Sequence, residues 1–273
     1  MTLDELMAKR PEVTFEPQLP AHCHDDFREL GFTKVDRLTT DEELEWLGAV
    51  FDAMFTGEVE LSPGAFVKDV LRPIDGQLAD KQGQIFVPEV RLPQLRKTGY
   101  WRNGRRLSAQ LLGLSYADIV GWGHMIRKPA LTGEALPWHQ DEAFWNPNFD
   151  YVALGCWMPL DPATVESGCM GFIPGSHLDG IRKHRYLNDD PRIAALVCDD
   201  VDERRAVPNP IPAGGASFHH CRTLHCSGAN VSGRQRRAQI TEWQLPPELR
   251  ATPADRPWVA EGFAAKTAAM AGA

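Results

Sequence analysis

The eight residues WHQDEAFW (Trp138–Trp145) set an imidazole and a carboxylate one residue apart, among three large aromatics and directly after Pro137. In extended backbone, residues i and i+2 face the same side. A strand here would therefore present His139 and Asp141 together. On its own such a pair most often hydrogen-bonds internally or to backbone. Two ligands hold a metal weakly, so a metal site needs a third from elsewhere in the chain. FHHCRTLHCSGANVSGRQRR (residues 218–237) offers three histidines within seven residues: His219, His220 and His225. Two histidines and a carboxylate on one face of a metal leave positions open, as in non-haem Fe(II) oxygenases. Zinc accepts the same set with an open site for water. The ligands alone leave both oxygen chemistry and hydrolysis in play.

Working outward, the texture around this stretch is that of short strands. Ile119–Ile126, Tyr151–Met158, Cys169–Ile173, Ala216–His220 and Arg237–Trp243 are rich in β-formers and separated by Gly/Pro turns such as Pro174-Gly175-Ser176. No helical pattern alternates with them, so an antiparallel barrel or jelly roll is expected rather than a parallel sheet. Residues 1–116 read as mostly helical elaboration. Thr40 and Glu43 have capping-box spacing before an apolar helical period (Leu44, Leu47, Val50, Phe51, Met54, Phe55). Gly57 and Pro63 punctuate its end, and a second helix is expected over Arg105–Leu114. The reading is one domain over 1–273, with a jelly-roll core at 117–245, an insertion or lid at 178–210 and a tail at 246–273.

Arg236 bears on which chemistry the metal would serve. A dicarboxylate cosubstrate such as 2-oxoglutarate chelates Fe(II) at one end and needs a fixed cation at the other. The planar guanidinium suits that task because it meets a carboxylate with two parallel hydrogen bonds. Arg236 follows His225 on the next expected strand, and Ser227 offers a hydroxyl close by.

WHQDEAFW, GCMGFIPGSH (168–177), LHCSGAN (224–230) with Arg236, and GFTKVDRLTTDEELEWL (31–47) together resemble the phytanoyl-CoA dioxygenase family of Fe(II)/2-oxoglutarate oxygenases. That resemblance implies a double-stranded β-helix (a cupin-like jelly roll) with N-terminal helices packed on one sheet, residues 31–47 corresponding to an N-terminal strand and helix. It implies His139, Asp141 and His225 as iron ligands and Arg236, with Ser227, as the grip on 2-oxoglutarate. Trp157 would lie against the cosubstrate. Gln140 would contact either it or the substrate, and His124 would also contact it, although the family pattern leads one to expect Met or Leu at position 124. His219 and His220 would not be ligands: one buried and hydrogen-bonded, the other edging the pocket. His177 would be structural, and His22, His24 and Asp25 would lie at the surface. Because Asp141 is present, hydroxylation is implied over halogen transfer. Trp138, Phe144, Trp145 and Arg222 are the candidate substrate-lining residues.

Composition bounds the rest. The chain has 273 residues, 43% of them hydrophobic, and 29 basic against 37 acidic residues for a net charge of -8. This excludes a largely disordered chain and gives no reason to expect nucleic acid. No run suits a membrane span or signal peptide, and six scattered cysteines without a CxxC pair suit a reducing compartment, so a cytoplasmic protein is expected. The expected partner is a small-molecule substrate, with Fe(II), 2-oxoglutarate and O2. The rival reading is a cosubstrate-independent cupin-type isomerase or hydrolase, which would not need Arg236.

Overall fold

Alternating side chains on the β-rich segments build two main antiparallel sheets. The computed structural model describes residues 3–56, 66–73, 83–262 and 264. In chain order the strands are β1 (Phe32–Val35), β2 (Phe66–Asp69), β3 (Gly83–Phe86), β4 (Val120–Lys128), β5 (Leu136–His139), β6 (Phe149–Asp150), β7 (Ala153–Pro159) and β8 (Met170–Phe172). There follow β9 (Arg185–Tyr186), β10 (Leu196–Val197), β11 (Val207–Asn209), β12 (Ala216–His220), β13 (His225–Ser227), β14 (Arg236–Gln244) and β15 (Glu248–Leu249). The larger sheet has the order β1-β12-β7-β14-β4-β3-β2 and the smaller β11-β8-β13-β5. Their pairings are antiparallel throughout, which is the jelly roll expected. Among the described residues, β9 with β10 and β6 with β15 form two separate pairs.

Period-two alternation gives each central strand two buried faces. On β7, Leu154, Cys156 and Met158 pack outward onto the helices, while Trp157 packs inward with Met170 and Phe172 of the small sheet. On β14, Ala238 and Ile240 face inward and Trp243 outward. The helices are α1 (Leu3–Ala8), α2 (His22–Leu30), α3 (Asp41–Phe55), α4 (Pro88–Arg91) and α5 (Gly99–Leu112). α3 lays Leu47, Val50, Phe51 and Met54 on the large sheet's outer face, all essentially inaccessible. Burial of each such side chain stabilises by roughly 1.5–3 kcal/mol.

Three expectations need correction. α5 starts at Gly99 rather than Arg105 because its N-terminus is capped twice. Thr98 Oγ1 accepts the Trp101 N–H at 3.1 Å, and the buried Glu43 carboxylate accepts those of Gly99 and Tyr100 at 2.7 and 2.8 Å. Glu43 thus caps a neighbouring helix instead of closing its own capping box; Thr40 still accepts the Glu43 N–H. The mostly helical stretch before 117 also carries β1, the strand implied for residues 31–47, paired with β12, and β3, paired with β4. The segment 178–210 is not wholly an insertion: β11 is an edge strand of the small sheet, paired with β8. Gly57 and Pro63 lie outside the described residues, as does the tail beyond Ala264. All six cysteines are unpaired, and no described helix is long and apolar enough to cross a membrane.

Candidate active site

A cavity of about 380 Å³ opens between the sheets, lined by residues of both. The opening stretch enters it from the small sheet. β5 ends at His139, Gln140 stays extended (φ -121°, ψ 134°), and Asp141 begins a single 3-10 turn. Extended backbone at Gln140 puts His139 and Asp141 on one side. β13 lies beside β5 with His225 directly opposite His139, so the pairing register delivers the third residue. The ligand atoms of His139, Asp141 and His225 all lie within 4.8 Å of one another. Asp141 Oδ1 is 3.8 Å from His139 Nε2 and 3.5 Å from His225 Nε2.

Backbone carbonyls orient both imidazoles. His139 Nδ1–H donates to Pro137 O at 2.7 Å and His225 Nδ1–H to Thr223 O at 2.9 Å, which leaves each Nε2 lone pair facing the cavity. Burial lowers the His139 pKa and takes that of His225 to about 3, so both are neutral at physiological pH. Burial alone would raise Asp141, but His225, His219 and His139 overcome it and hold the carboxyl well below its usual range. Two neutral imidazoles with bare Nε2 atoms and a carboxylate, pre-aimed, form a donor set that fits a divalent first-row metal.

Across the cavity Arg236 is 1% exposed and lies with its guanidinium carbon 5.1 Å from the centre of the Trp157 ring. Its Nη2–H donates to Gly168 O at 3.4 Å; Nε and Nη1 have no partner among the described residues. Gly168 supplies that carbonyl from a left-handed turn (φ +79°), where an added Cβ would sit 2.3 Å from Gly228 O. Burial lowers the Arg236 pKa to about 10, so it stays a cation. An unsatisfied buried guanidinium is costly unless a carboxylate completes it, and that vacancy in its hydrogen bonding fits a dicarboxylate. Ser227 lines the same end. Behind it Lys128, fully buried, donates to the carbonyls of Glu134, Ser227 and Gly228 at 2.7, 3.2 and 2.6 Å. Burial and then Arg236 pull the Lys128 pKa to about 6.

Of the other residues singled out in the sequence, His124, Phe144 and Trp145 line the cavity, and Trp138, Gln140 and Arg222 do not. Trp138 is one residue out of phase with His139 and packs on the far side against Ile173, Cys198 and Leu224. The Gln140 amide donates to Gly180 O and Arg222 O and accepts from Arg182 N, pinning loops to β5 rather than reaching a ligand. Arg222 is held away by Glu142 at 2.6 Å. His220 packs near Phe27 and His177 outside the cavity, and His177 bonds Arg28 O. His22 and His24 are exposed.

Sequence reasoning missed three contributors, Glu242, Glu142 and Arg256, and left open which role His219 takes. His219 is both buried and cavity-lining, and its Nε2 meets Asp141 Oδ2 at 3.0 Å, leaving Oδ1 for the centre of the triad. It reaches there because Gly155 on the paired strand has no side chain: a Cβ would lie 2.6 Å from His219 Cε1. Glu242 shares the inward face of β14 with Arg236, Ala238 and Ile240, a phase visible in the sequence. Glu142, with no exposure, and Arg256 (5%) pair at 2.5 Å and fasten the turn that carries Asp141. Nothing in the sequence near Arg256 announces that contact.

Similar proteins agree with this architecture. A structure of EvdO2 from Micromonospora carbonacea var. aurantiaca, complexed with 2-oxoglutarate, superposes with a TM-score of 0.79 at 33% identity, covering 89% of this chain and 98% of that one. The phytanoyl-CoA dioxygenase domain-containing protein 1 of Bos taurus is 26% identical over 252 residues, 86% of this chain and 79% of its own length. Its Danio rerio counterpart is 35% identical over 119 residues, 41% of this chain and 40% of that protein. The model of the phytanoyl-CoA dioxygenase family matches residues 27–238, and the chain belongs to that family.

Proposed function

We propose that this protein oxidises a C–H bond of a small organic molecule, most simply to the alcohol, as a non-haem iron, 2-oxoglutarate-dependent dioxygenase. When bound, Fe(II) with 2-oxoglutarate and O2 supplies the oxidant, with succinate and CO2 as coproducts. In this reading His139 Nε2, His225 Nε2 and Asp141 Oδ1 hold the metal. The Pro137 and Thr223 carbonyls and His219 fix their orientation. Arg236 takes the far carboxylate of 2-oxoglutarate with Ser227 beside it, and Trp157 walls the cosubstrate. His124, with both ring nitrogens buried and unpartnered among the described residues and its pKa lowered to about 4 by burial, is a neutral edge to that space. Phe144 and Trp145 stand at the substrate side, and the 178–210 segment contributes Ala194 and Ala195 to the cavity wall as a cover.

The observation that carries the reading is the unpartnered guanidinium of Arg236 across the cavity from the triad; a metal isomerase or hydrolase has no task for it. Arg236→Gln replaces a charge-assisted fork by a neutral amide. Succinate formation from 2-oxoglutarate without added substrate should fall and its KM rise by about 30-fold or more. If succinate formation is absent in the native enzyme, or is unchanged in the variant, the reading is wrong.

A further inference from the structure

Glu242 stands in the cavity without an assigned task. It is 4% exposed, it faces inward on β14, and Oε2 has no hydrogen-bond partner among the described residues. Its place relative to the triad follows from Gly155. An added Cβ there would be 2.6 Å from His219 Cε1 and 3.3 Å from Glu242 Oε1, so imidazole and carboxylate lean over the same glycine from two sides. His219 in turn touches Asp141. Glu242 is therefore one side chain removed from the metal ligands, at the end of β14 opposite Arg236.

The neighbours of Glu242 define a compartment of distinct chemistry. Trp122 lies directly across from it on β4, and His124 follows two residues later on the same face. The Trp122 and His124 rings meet edge to face at 5.7 Å. Trp145 and Phe144 also line the cavity. Arg236 is the one Lys or Arg among the described residues lining this cavity, and it sits at the far end. The compartment thus has aromatic walls, an acceptor with free lone pairs, a second acidic group in Asp141, and no cation of its own.

A carboxyl group buried without a partner is destabilising, and a ligand that supplies the partner recovers the difference. We propose that Glu242, with Trp122, His124 and Trp145, forms the substrate-anchoring subsite, and that it takes a hydrogen-bond-donating group, a hydroxyl or an ammonium, borne on the substrate close to the carbon that is oxidised. The aromatic faces would cover the carbon skeleton next to that group, and an ammonium would gain from them further. The assignment rests on the oxygenase reading above for the meaning of "oxidised", while the binding preference stands on the cavity alone.

The test uses four probes of one carbon skeleton: n-hexylamine, 1-hexanol, 2-hexanone and hexanoate. Binding is followed by quenching of tryptophan fluorescence, since Trp122, Trp145 and Trp157 line the site. Titrations are run under argon on the protein with Fe(II) and 2-oxoglutarate, the latter occupying Arg236, and again without either for the amine, the alcohol and the ketone, so that a fault in the iron reading and a fault in this one are seen separately. The amine or the alcohol should bind at least about tenfold more tightly than the ketone and hexanoate. Glu242→Leu should erase that preference. Glu242→Gln should keep it for a hydroxyl and lose it for an ammonium, which distinguishes the two donors. Equal affinities across the four probes in the unaltered protein, or a preference that survives Glu242→Leu, would overturn the proposal. The comparison in the unaltered protein stands even if a variant fails to fold.

Discussion

Arg256→Met should loosen the loop that carries Asp141, although Arg256 lies more than a hundred residues away. Glu142 has no solvent exposure and follows Asp141 directly. Its carboxylate is bound by Arg256 Nη2 at 2.5 Å and by Arg222 Nε at 2.6 Å, and Arg256 Nη1 also donates to Glu142 O at 2.5 Å. Trp258, in the same segment, donates to Ala143 O at 2.9 Å and accepts at its carbonyl from Tyr186. Removing one partner of a buried ion pair costs about 3–5 kcal/mol. Arg222 remains, so the lower end applies, and about 3 kcal/mol corresponds to a fall in Tm of about 6–12 °C for a chain of this size. Because Glu142 and Asp141 share a turn, Fe(II) affinity should fall by about 10–100-fold as well. Thermal unfolding followed by circular dichroism and a metal titration read the two effects. Glu142→Gln in the same chain should restore part of the stability, since it removes the stranded charge. A Tm change below about 2 °C with unaltered metal affinity would refute the reasoning.

Further expectations follow from individual contacts. Gly155→Ala places a methyl 2.6 Å from the His219 ring and must push it off Asp141; Fe(II) affinity should drop about tenfold, with Tm less affected than in Arg256→Met. Lys128→Met leaves three buried carbonyls without their donor beside Arg236, so the KM for 2-oxoglutarate should rise while Fe(II) affinity holds, as steady-state succinate assays and metal titration would show. Burial lowers the His184 pKa from 6.5 to about 4. Between those values the unfolded chain takes up a proton that the folded chain refuses, so stability is greatest above pH 6.5 and declines as pH falls toward 4. At pH 5 that one histidine accounts for roughly 2 kcal/mol. His220 acts in the same direction. Urea midpoints that do not fall between pH 7.5 and pH 5 would contradict this.

The parts of the site that were legible in the sequence are those carried by local periodicity and by charge type. His139 and Asp141 are two apart on extended backbone, and Arg236 begins a strand whose inward phase runs through Ala238 and Ile240. The helix over Asp41–Phe55 shows its period openly for the same reason. What was not legible depends on partners brought in by the fold. Gln140 resembles a ligand by sequence, yet three loop contacts claim its amide. Arg222 is taken by a glutamate 80 residues away. Glu242 is an ordinary strand residue, and His219 one of three neighbouring histidines, until Gly155 lets them lean together, and the fastening of the Asp141 turn by Arg256 has no local signature at all. Trp138 was the avoidable error, since the phase that turns His139 inward turns its neighbour outward.

The most direct test of the central claim is the visible spectrum of the purified, metal-free protein under argon, recorded after Fe(II) and again after 2-oxoglutarate. A weak charge-transfer band should appear only with both present, and it should vanish in His225→Ala and require far more 2-oxoglutarate in Arg236→Gln. Fe(II) binding without any such band would contradict the account and favour a metal enzyme that works without the cosubstrate.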